Sequence, residues 1–520
     1  MSKNSCAKIE GDFKNKKGLE RAILREKANG SPDIEIGRKY GVTFRYIEKV
    51  ITKSKGVNIS NLQTSKRIKS LHPKNFKEEQ TTVWSFKNRG KWASHRGDYR
   101  GNWSPYIPRN VILKYSKPGD VVLDYFCGAG TTTVEAKLLG RRCVAFDIND
   151  KAIELSRNNL DFKVDRQNLL FENIEKDINI YEPELYIGDA RELSALTDNS
   201  IDLICAHPPY SDIIHYTDKK EGDLSFFAID EFLNEMSKVA KESYRVLKPG
   251  RQCAILIGDT RRKKHIIPLG FLTIGVYLNA GFKLRELVIK RQHNCKTTGF
   301  WYTNSIKYNF LLLAHEYLPI FEKPKRNIIF KDKKGDKYAA NISEVSEELK
   351  QKKTLSEFET TTVWIFPEKD YEKLLNKNII DRYSEDHNYS CVFLSIDKKT
   401  KEKNKKGEQA NSLLFIKTDL DNENISQSAL DGFIFDLNSM IEKKLSYIEK
   451  NGFVVIETKD KRVNGFIESP AKRIVSTLIN DKLWLKEIIF VTTENQKENS
   501  NENDMYLNLV HKYLLVYEVL

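Results

Sequence analysis

The sequence is poor in cysteine, and its cysteines form no paired motif. Seven cysteines are spread over 520 residues, and no two of them show the C-x-x-C spacing of common zinc ligands. This scatter argues against a zinc site and against a disulfide framework. It favours a reducing compartment, so we expect a cytoplasmic protein that holds no metal.

Long apolar runs are also missing, whereas positive charge is in excess. No apolar stretch reaches the roughly 20 residues of a transmembrane helix. The N-terminus, MSKNSCAKIEGDFKNKKG, lacks the apolar core of a signal peptide. We therefore expect no membrane partner. Lys and Arg number 86 against 72 Asp and Glu, a net charge of +14. Such an excess suits a polyphosphate partner, although a lysine-rich solvated surface gives the same number.

The most informative segment runs from Val121 to Asn149, VVLDYFCGAGTTTVEAKLLGRRCVAFDIN. It predicts an apolar strand ending in Asp124, a glycine turn, a helix from Thr131 to Leu139 and a second strand ending in Asp147. The turn lacks the third glycine of the dinucleotide fingerprint, which makes a pyrophosphate site the weaker interpretation. Asp147 is placed to accept both hydroxyls of a ribose. A purely structural turn remains an alternative at this point.

A second segment, IDLICAHPPY from Ile201 to Tyr210, follows about fifty residues later. Its two prolines cannot continue a sheet ladder, and they hold the chain rigid where it leaves the strand. Tyr210 then lies at the carboxyl edge of the strand, where open α/β sheets bind ligands, and its ring offers a face to a planar base. The two segments together indicate pockets for a methyl donor and a methyl acceptor.

Both segments resemble those of the DNA amino-methyltransferases, which carry an F-x-G-x-G loop and a (Asp/Asn/Ser)-Pro-Pro-(Tyr/Phe) tetrapeptide. Phe126 to Gly130 matches the loop, and His207 to Tyr210 matches the last three tetrapeptide positions. A third block, GNWSPYIP from Gly101 to Pro108, occupies the place of the family's donor-binding segment. The resemblance spans Thr81 to Pro324. It implies a Rossmann-like methyltransferase sheet that uses S-adenosylmethionine.

The resemblance also implies which residues act. The catalytic set is His207, Pro208, Pro209 and Tyr210. The candidate donor-binding residues are Trp103, Ser104, Pro105, Asp124, Phe126, Gly128, Gly130, Thr131, Asp147 and Asp189. In the family, the first tetrapeptide side chain and a backbone carbonyl accept the two N–H bonds of the target amine. The nitrogen then aims its lone pair at the sulfonium methyl, and catalysis is mainly positioning without a metal.

His207 departs from the family pattern. A neutral imidazole offers one acceptor nitrogen and an imidazolium offers none, so activity then requires a deprotonated His207. The alternative is that His207 is a spacer and that only Pro208 and Tyr210 matter. Because the family uses Asp, Asn or Ser at this position, the histidine leaves adenine N6 and cytosine N4 equally open as targets.

Residues 1–60 predict a separate helix-turn-helix module. Residues 34–51 read as a short helix, a turn at Gly41 and a second helix. We expect apolar side chains to pack inward (Ile47, Val50 and Ile51) and others to face a DNA groove (Arg45, Tyr46 and Lys49). A helix pair that serves only packing or protein contact is the alternative. Residues 61–80 are interpreted as a linker.

The chain after the tetrapeptide predicts alternating helices and strands within a catalytic domain of residues 81–325. We expect a helix over 232–246, a turn at 248–250, a strand over 253–258 and a helix over 268–278, before closing antiparallel strands. The loop from Arg291 to Trp301 mixes imidazole, amide and aromatic groups, and His293 and Asn294 are candidates for holding a flipped DNA base. An ordinary polar loop is the alternative.

The remaining third contains a weak internal repeat. TTVWIF at 361–366 echoes TTVWSF at 81–86, and two later segments repeat in the same order, 448–456 after 246–255 and 511–517 after 315–321. After a linker over 326–359, residues 360–520 therefore predict a degenerate methyltransferase-like α/β domain without glycine loop or Pro-Pro-Tyr. DNA clamping, sequence recognition, a dimer-like scaffold within the chain and chance similarity stay open.

These observations lead to one main hypothesis and two alternatives. The resemblance implies a site-specific methyltransferase that modifies adenine N6 or cytosine N4 in double-stranded DNA. It further implies a restriction-modification or defence system with a cognate restriction endonuclease as a second partner. One alternative is an RNA or protein amide methyltransferase. The other is a non-catalytic DNA-binding regulator that kept the methyltransferase fold.

Overall fold

The computed structural model describes most of the chain in two compact units. The first unit comprises residues 1–76 and 88–248, and the second comprises residues 77–87 and 249–520. The predicted domain limits stay predictions, and residues 81–325 contribute to both units. The described residues are 16–29, 31, 33–42, 46, 47, 50, 68, 70–97, 99, 101–162, 179–210, 217, 220–262, 264–293, 305, 309–325, 359–396, 401–404, 410–420, 426–494 and 505–520. Among them, no helix is long and apolar enough to cross a membrane.

Helices and strands are numbered along the chain. The helices are α1 (Lys16–Ala28), α2 (Asp33–Tyr40), α3 (Tyr106–Tyr115), α4 (Thr131–Leu138), α5 (Asp150–Leu160), α6 (Ile229–Val246), α7 (Leu269–Asn279), α8 (Tyr371–Tyr383), α9 (Gln427–Lys444) and α10 (Pro470–Thr477). The strands up to residue 325 are β1 (Val83–Ser85), β2 (Val121–Asp124), β3 (Arg142–Asp147), β4 (Glu184–Ile187), β5 (Ile201–Ala206), β6 (Leu247–Ile255), β7 (Thr260–Arg262), β8 (His265–Ile267), β9 (Lys283–Arg291) and β10 (His315–Glu322). Those beyond it are β11 (Val363–Phe366), β12 (Tyr389–Ser395), β13 (Lys401–Asn404), β14 (Asn411–Asp419), β15 (Ile448–Thr458), β16 (Lys461–Val463), β17 (Phe466–Glu468), β18 (Leu483–Thr493) and β19 (Lys512–Val519).

The N-terminal helices pack around a small apolar core. It consists of Ile23, Ile36, Ile47 and Val50, so the inward packing expected for Ile47 and Val50 is found. Gly41 ends α2 with a φ of 65°, a left-handed conformation that glycine adopts without strain. Tyr46 is half-buried against this core instead of standing clear on the surface. Three residues of the same prediction lie outside the described residues: Arg45, Lys49 and Ile51. The helix-turn-helix itself stays a prediction.

The first unit contains a parallel sheet with the strand order β5-β2-β3-β4. All six residues of β5 are buried, as the apolar run ahead of His207 predicts. The predicted strands ending in Asp124 and Asp147, and the helix between them, are present. Asn149 caps α5, because its side chain accepts a hydrogen bond from the amide of Lys151. These elements direct the two acidic strand ends toward one edge of the sheet.

The second unit begins with β1, β9, β10 and β6, hydrogen-bonded in that order. β9 is parallel to β1 and antiparallel to β10, which also pairs antiparallel with β6. The turn predicted at residues 248–250 was wrong, because this stretch lies inside β6. Gly250 takes a φ of 79° there, and its amide donates to the carbonyl of Lys323 at 2.6 Å. A backbone hydrogen bond thus keeps the Pro-Gly pair within the strand.

The C-terminal part of the second unit is a seven-stranded sheet. Its order is β11-β18-β19-β15-β14-β12-β13, and its first four strands correspond to β1, β9, β10 and β6. The next pair, β14 and β12, is parallel, like β5 and β2 of the first unit. Trp364, Phe415, Val455 and Leu514 lie in its core. The predicted C-terminal sheet of related fold is therefore confirmed.

Candidate active site

A cleft of about 710 Å³, including its open mouth, lies in the first unit. It forms where β2, β3, β4 and β5 end, the edge at which parallel sheets bind ligands. Its walls combine residues of the glycine loop, the donor segment and the tetrapeptide. They are Tyr99, Gly101, Asn102, Trp103, Tyr125, Phe126, Cys127, Gly128, Asp147, Ile148, Gly188, Asp189, Ala190, His207, Pro209, Gly222, Asp223 and Leu224.

The glycine loop is held open by two left-handed residues. Gly128 and Gly130 have φ values of 51° and 80°. A Cβ on Gly128 would meet the ring of Tyr99 at 3.0 Å, and one on Gly130 would collide with Ser156 Oγ. Larger residues are therefore excluded by both conformation and space. α4 begins directly after Gly130, so its free N-terminal amides lie behind the loop.

Asp147 stands at the tip of β3 and faces the cleft. Its Oδ2 accepts from the Gly128 amide at 2.8 Å, and its Oδ1 accepts from the Asn149 amide at 2.8 Å. Burial raises the pKa of Asp147 to about 6, and the two backbone hydrogen bonds offset part of that rise. These contacts fix the orientation of the carboxylate. Each oxygen has a second lone pair, so the group can still accept from a ribose hydroxyl.

Asp124, the acid at the end of β2, is only 2% exposed and does not line the cleft. Its Oδ1 accepts from the Phe126 amide at 3.0 Å, which shapes the start of the glycine loop. Burial raises its pKa to about 7. The structure thus places this predicted donor-binding residue behind the loop, where it supports the backbone and has no direct access to the cleft.

Asp189 follows β4 and is held by an arginine. Arg191 Nη2 donates to Asp189 Oδ2 at 2.6 Å, and its Nε donates to Oδ1 at 3.0 Å. Arg191 also pairs with Glu235 on α6. Gly222 lies beside this pair, where a Cβ would meet Asp189 Oδ2 at 3.0 Å. Asp189 therefore presents a fixed negative edge to the cleft.

Three rings meet at the acceptor corner, and two of these residues, Trp103 and His207, line the cleft. The indole of Trp103 stacks on the imidazole of His207 with centroids 5.4 Å apart and an interplanar angle of 22°. His207 Nε2 lies 2.8 Å from the hydroxyl of Tyr210. Pro208 is buried and Pro209 lines the cleft. The tetrapeptide therefore meets the donor segment through the histidine that departs from the family pattern.

A buried carboxylate fastens the donor segment to α4. Glu135 is fully buried and accepts from Trp92 Nε1 at 2.6 Å and from Arg109 Nη1 at 2.9 Å. His95 Nε2 lies 2.6 Å from the same carboxylate. Burial alone raises the pKa of Glu135, but Arg109 and His95 outweigh it, and the pKa is lowered. Glu135 thus remains ionised and ties residues on both sides of the donor segment to the helix behind the glycine loop.

The donor segment and Tyr99, which lies just ahead of it, make further contacts. Tyr99 packs against Ala129 and Leu155, and Asn102 Oδ1 accepts from Thr131 Oγ1. Ser104 Oγ donates to the carbonyl of Arg89 at 2.7 Å. Seven of the predicted residues do not line the cleft themselves: Ser104, Pro105, Asp124, Gly130, Thr131, Pro208 and Tyr210. The predicted roles of these seven residues stay predictions: donor binding for the first five and catalysis for Pro208 and Tyr210.

Sequence reasoning missed several lining residues. Ile148 could have been inferred, because it directly follows Asp147 on the same strand end. Gly222, Asp223 and Leu224 come from a segment without a recognisable pattern. Asp223 is anchored there by Ser225, whose amide donates to it at 2.9 Å. Their position depends on tertiary packing that no local pattern reveals.

The predicted base-holding loop belongs to the second unit. His293 Nε2 lies 3.0 Å from the hydroxyl of Ser85. Asn294 lies outside the described residues. The role of both residues in DNA binding stays a prediction. In the described part of the chain, no group of three or more His, Cys, Asp or Glu residues could hold a metal ion.

Comparison with known families now identifies the chain. Residues 10–158 and 201–410 match the DNA methylase family, which is more than half of the sequence. The chain belongs to the DNA methylase family. Residues 116–263 of this methylase also match a general methyltransferase domain, and they include the glycine loop, Asp147 and the tetrapeptide.

Curated relatives resemble parts of this methylase. A tRNA (guanine(10)-N2)-dimethyltransferase of Methanothermobacter thermautotrophicus is 34% identical over 22% of this chain and 29% of its own length. The type II methyltransferase M.MthZI of the same species is 28% identical over 27% and 44%. The type II methyltransferase M2.DpnII of Streptococcus pneumoniae is 38% identical over 14% and 25%. The matches thus span between a quarter and under half of these relatives. A solved S-adenosylmethionine-dependent methyltransferase from Methanosarcina mazei aligns with 42% of the chain and 98% of its own, at 17% identity and a TM-score of 0.28.

The residues of the cleft fit S-adenosylmethionine, the methyl donor that the sequence resemblance implies. Gly128 lines the cleft without a side chain, and the ring of Tyr99, which also lines the cleft, fills the place that a Cβ would take. Asp147 offers carboxylate oxygens to a ribose, and the rings of Trp103 and Phe126 supply apolar walls. Among the lining residues that the structure describes, none is a lysine or an arginine.

Proposed function

We propose that this protein transfers a methyl group from S-adenosylmethionine to an exocyclic amine of adenine or cytosine in double-stranded DNA. One observation carries the proposal. His207 and Pro209 of the acceptor tetrapeptide line the same cleft as Gly128 and Asp147 of the donor side. A donor and an acceptor pocket that share one cleft allow direct transfer between two bound substrates, because the reacting atoms are held in contact.

The side chains of the acceptor corner orient the amine. An exocyclic amine is a weak nucleophile because its lone pair is delocalised into the ring. A neutral His207 nitrogen can accept one of its N–H bonds, which localises that lone pair on the amine nitrogen. Tyr210 contacts this imidazole through its hydroxyl, so an entering base competes with Tyr210 for the same nitrogen. The ring of Tyr210 is then available to stack on the base.

The residues of the donor side bind and orient. When bound, S-adenosylmethionine supplies an electrophilic methyl on a sulfonium. Asp147 holds the ribose end, and Trp103 fixes the plane of His207. The carboxylate of Asp147 needs its negative charge to act as a strong acceptor for both hydroxyls. After transfer, the methylated amine loses one proton to solvent, and no residue of the chain changes covalently.

The decisive experiment compares possible acceptors directly. Purified protein is incubated with methyl-labelled S-adenosylmethionine and separately with duplex DNA, transfer RNA and unrelated protein. We expect label in DNA, and digestion to nucleosides then shows whether adenine N6 or cytosine N4 carries it. The variant Tyr210→Ala should lose transfer but keep donor affinity, since base stacking is worth about 1–3 kcal/mol. The exposed tyrosine of Tyr447→Ala provides a matched control that should behave like wild type.

RNA is the second candidate acceptor. A relative named as a tRNA (guanine(10)-N2)-dimethyltransferase shares 34% identity over 113 residues, which favours a guanine amine of tRNA as the acceptor to test next to DNA. Label in tRNA and none in DNA would replace the DNA proposal with this one. Label in neither, although the donor binds, would leave the non-catalytic regulator as the better description.

We further propose that the protein is the modification enzyme of a restriction-modification system with a cognate endonuclease. Support comes from the relatives named as type II methyltransferases. Single-molecule sequencing of DNA from a host that expresses the gene should reveal one methylated sequence motif. Methylation scattered without a motif would contradict a site-specific role.

A further inference from the structure

The second unit contains two repeats that contact each other in a crossed manner. We define the first repeat as residues 77–87 and 249–322 and the second repeat as residues 359–520. Thr82 of the first repeat hydrogen-bonds His511 of the second at 2.9 Å. Thr362 of the second repeat hydrogen-bonds His315 of the first at 2.7 Å. Thr82 and Thr362 occupy the same place in the repeated TTVW segments. His315 is the first residue of β10, and His511 directly precedes the equivalent strand β19.

Each of these histidines belongs to a buried network of the same composition. In the first repeat, Asp259 lies 3.1 Å from His315 Nε2 and accepts from Tyr317 Oη at 2.9 Å. In the second, Asp460 lies 3.7 Å from His511 Nε2 and accepts from Tyr513 Oη at 2.6 Å. Burial together with the neighbouring carboxylate raises the pKa of both tyrosines well above the ordinary value, so both hydroxyls remain donors.

Two ion pairs between side chains also cross from one repeat to the other. Arg261 pairs with Glu487 at 2.5 Å, and Arg462 pairs with Glu286 at 2.5 Å. Each glutamate also accepts a hydrogen bond from a backbone amide of the opposite repeat. Glu487 accepts from Leu311 at 3.0 Å, and Glu286 accepts from Leu507 at 3.2 Å.

Even the ring contacts of the arginines are repeated. Arg261 lies over the ring of Phe310 at 5.1 Å, and Arg462 lies over the ring of Tyr506 at 4.4 Å. Each ring stands one residue ahead of the leucine that donates its amide to the crossed glutamate. The equivalence therefore extends from strand order to individual side-chain contacts.

This crossing is the property of a two-fold interface. Where two copies of one surface meet, residue i of one copy contacts residue j of the other, and j contacts i. A domain packed on an unrelated partner has no reason to repeat each contact with the roles exchanged. The two repeats therefore meet as two subunits of a symmetric dimer do, although they are parts of one chain.

The second repeat keeps the packing elements and lacks the catalytic ones. Twenty residues, including the first five of the donor segment, separate Ser85 from α3, whereas four separate Phe366 from α8. Seventy-six residues, including the glycine loop, separate β2 from β5, whereas fifteen separate the equivalent β12 and β14. Fifteen residues are too few for two helices and two strands. β14 ends in Asp419 and is followed by Leu420, with no Pro-Pro-Tyr.

We propose that the second repeat takes the place of a second methyltransferase subunit, so that one chain forms a two-fold scaffold with a single donor site. The two repeats should then stay associated without a covalent link, as two subunits do. The equivalent crossed contacts should contribute equally to the stability of the interface. Of the roles that the sequence left open for residues 360–520, this proposal favours the dimer-like scaffold within the chain.

The first test cuts the folded chain between the repeats. A site for a sequence-specific protease is inserted between Lys334 and Gly335, and the purified full chain is cleaved under native conditions. The two fragments should elute together as a one-to-one complex and keep the donor affinity of the uncut protein within about twofold. Fragments that separate without denaturant would overturn the proposal, because a subunit interface does not depend on a covalent link.

Matched variants test whether the crossed contacts are equivalent. Arg261→Met and Arg462→Met each remove one of the two ion pairs, and both should lower the urea concentration that separates the cleaved fragments, by similar amounts. Arg473→Met removes a pair with Asp431 inside the second repeat and should change this concentration little. If one of the two crossed variants behaved like Arg473→Met, the two-fold equivalence would be wrong.

Donor stoichiometry tests the single site. Calorimetric titration of the uncut chain with S-adenosylmethionine should give one site per chain. Arg462→Met, which is folded if its melting transition is cooperative, should leave that number unchanged. Two sites per chain would show that the second repeat binds a donor and would overturn its assignment as a packing partner, whatever the outcome of the acceptor experiments.

Discussion

His207 is oriented by contacts on two sides. The indole of Trp103 stacks on one face of its ring, and the hydroxyl of Tyr210 approaches Nε2. Stacking fixes the plane of the imidazole, and the hydroxyl fixes the direction of one nitrogen. A spacer residue would need neither contact. The geometry therefore supports the acceptor role of His207 over the spacer alternative.

Substitution of His207 tests this role through its pH dependence. Single-turnover methylation by the wild type should fall as the pH is lowered and the imidazole takes up a proton, because an imidazolium has no acceptor. His207→Asn keeps an acceptor oxygen that does not titrate, so it should retain activity and lose this acidic decline. His207→Leu has similar bulk without an acceptor and should be nearly inactive. A leucine variant with the wild-type rate would make the histidine a spacer.

Asp147 should control donor affinity in the same pH range. Asp147→Ala should weaken S-adenosylmethionine binding by about 2–3 kcal/mol, the value of charge-assisted hydrogen bonds to the ribose. The pKa of Asp147 is raised to about 6, so acidification below that pH protonates the free carboxyl and should lower wild-type affinity. Asp147→Asn should bind weakly without this decline. Asp150→Asn changes an exposed neighbour and serves as the control in calorimetry. Unchanged affinity in Asp147→Ala would remove this residue from the donor site.

Asp124 should affect stability rather than binding. Its folded-state pKa is raised to about 7 from an ordinary value of 3.8, so the folded protein favours the protonated form. The stabilisation of the folded state by this protonated carboxyl is complete below about pH 4 and is lost as the pH rises through 7. The loss in unfolding free energy amounts to up to about 4 kcal/mol, at 1.36 kcal/mol per pKa unit. Asp124→Asn should therefore show a smaller loss of unfolding free energy between pH 4.5 and 7.5 in urea titrations. If the unfolding free energies of variant and wild type changed in parallel with pH, Asp124 would not titrate with a raised pKa in the folded protein.

At the scale of elements, local sequence patterns predicted those helices, strands and turns that a short segment specifies by itself. The apolar runs, the glycines at 128 and 130 and the paired prolines each limit the backbone by themselves, so the β2-α4-β3 unit and the end of β5 were predicted. The position of Asp124 behind the loop depends on how the loop folds back. The anchoring of the donor segment depends on Glu135, which lies in an ordinary helical sequence and acquires its role only from three distant partners.

Glu135 should therefore matter more than its sequence suggests. Glu135→Gln removes the charge that compensates buried Arg109, and breaking a buried pair on one side typically costs about 3–5 kcal/mol. We expect a loss of unfolding free energy of that order together with weaker donor binding, because the donor segment loses its attachment to α4. Glu154→Gln alters an exposed glutamate on α5 and is the control. A loss of stability without any change in donor affinity would show that the network is structural only.

At the scale of the whole molecule, the candidate donor cleft and the proposed two-fold scaffold lie in different parts of the chain. The cleft belongs entirely to the first unit, and the crossed contacts belong entirely to the second. The sequence indicated the repeat through three echoes but not its crossing, because a pairing between Thr82 and His511 spans 429 positions. Only the folded chain shows that equivalent residues exchange partners.

The net charge of +14 gives the last prediction, which concerns the partner of the whole molecule. If the basic excess binds DNA phosphates, each neutralised phosphate releases counterions, and DNA affinity falls steeply as salt rises. Six to ten such contacts lower affinity by about 10³–10⁵ between 50 and 200 mM salt. Donor binding in the cleft involves few exposed charges and should change little over the same range. Fluorescence anisotropy with duplex DNA and calorimetry with S-adenosylmethionine measure the two slopes on one preparation. Two equally flat slopes would mean that the lysines and arginines form a solvated surface, and the DNA proposal would then depend on the cleft alone.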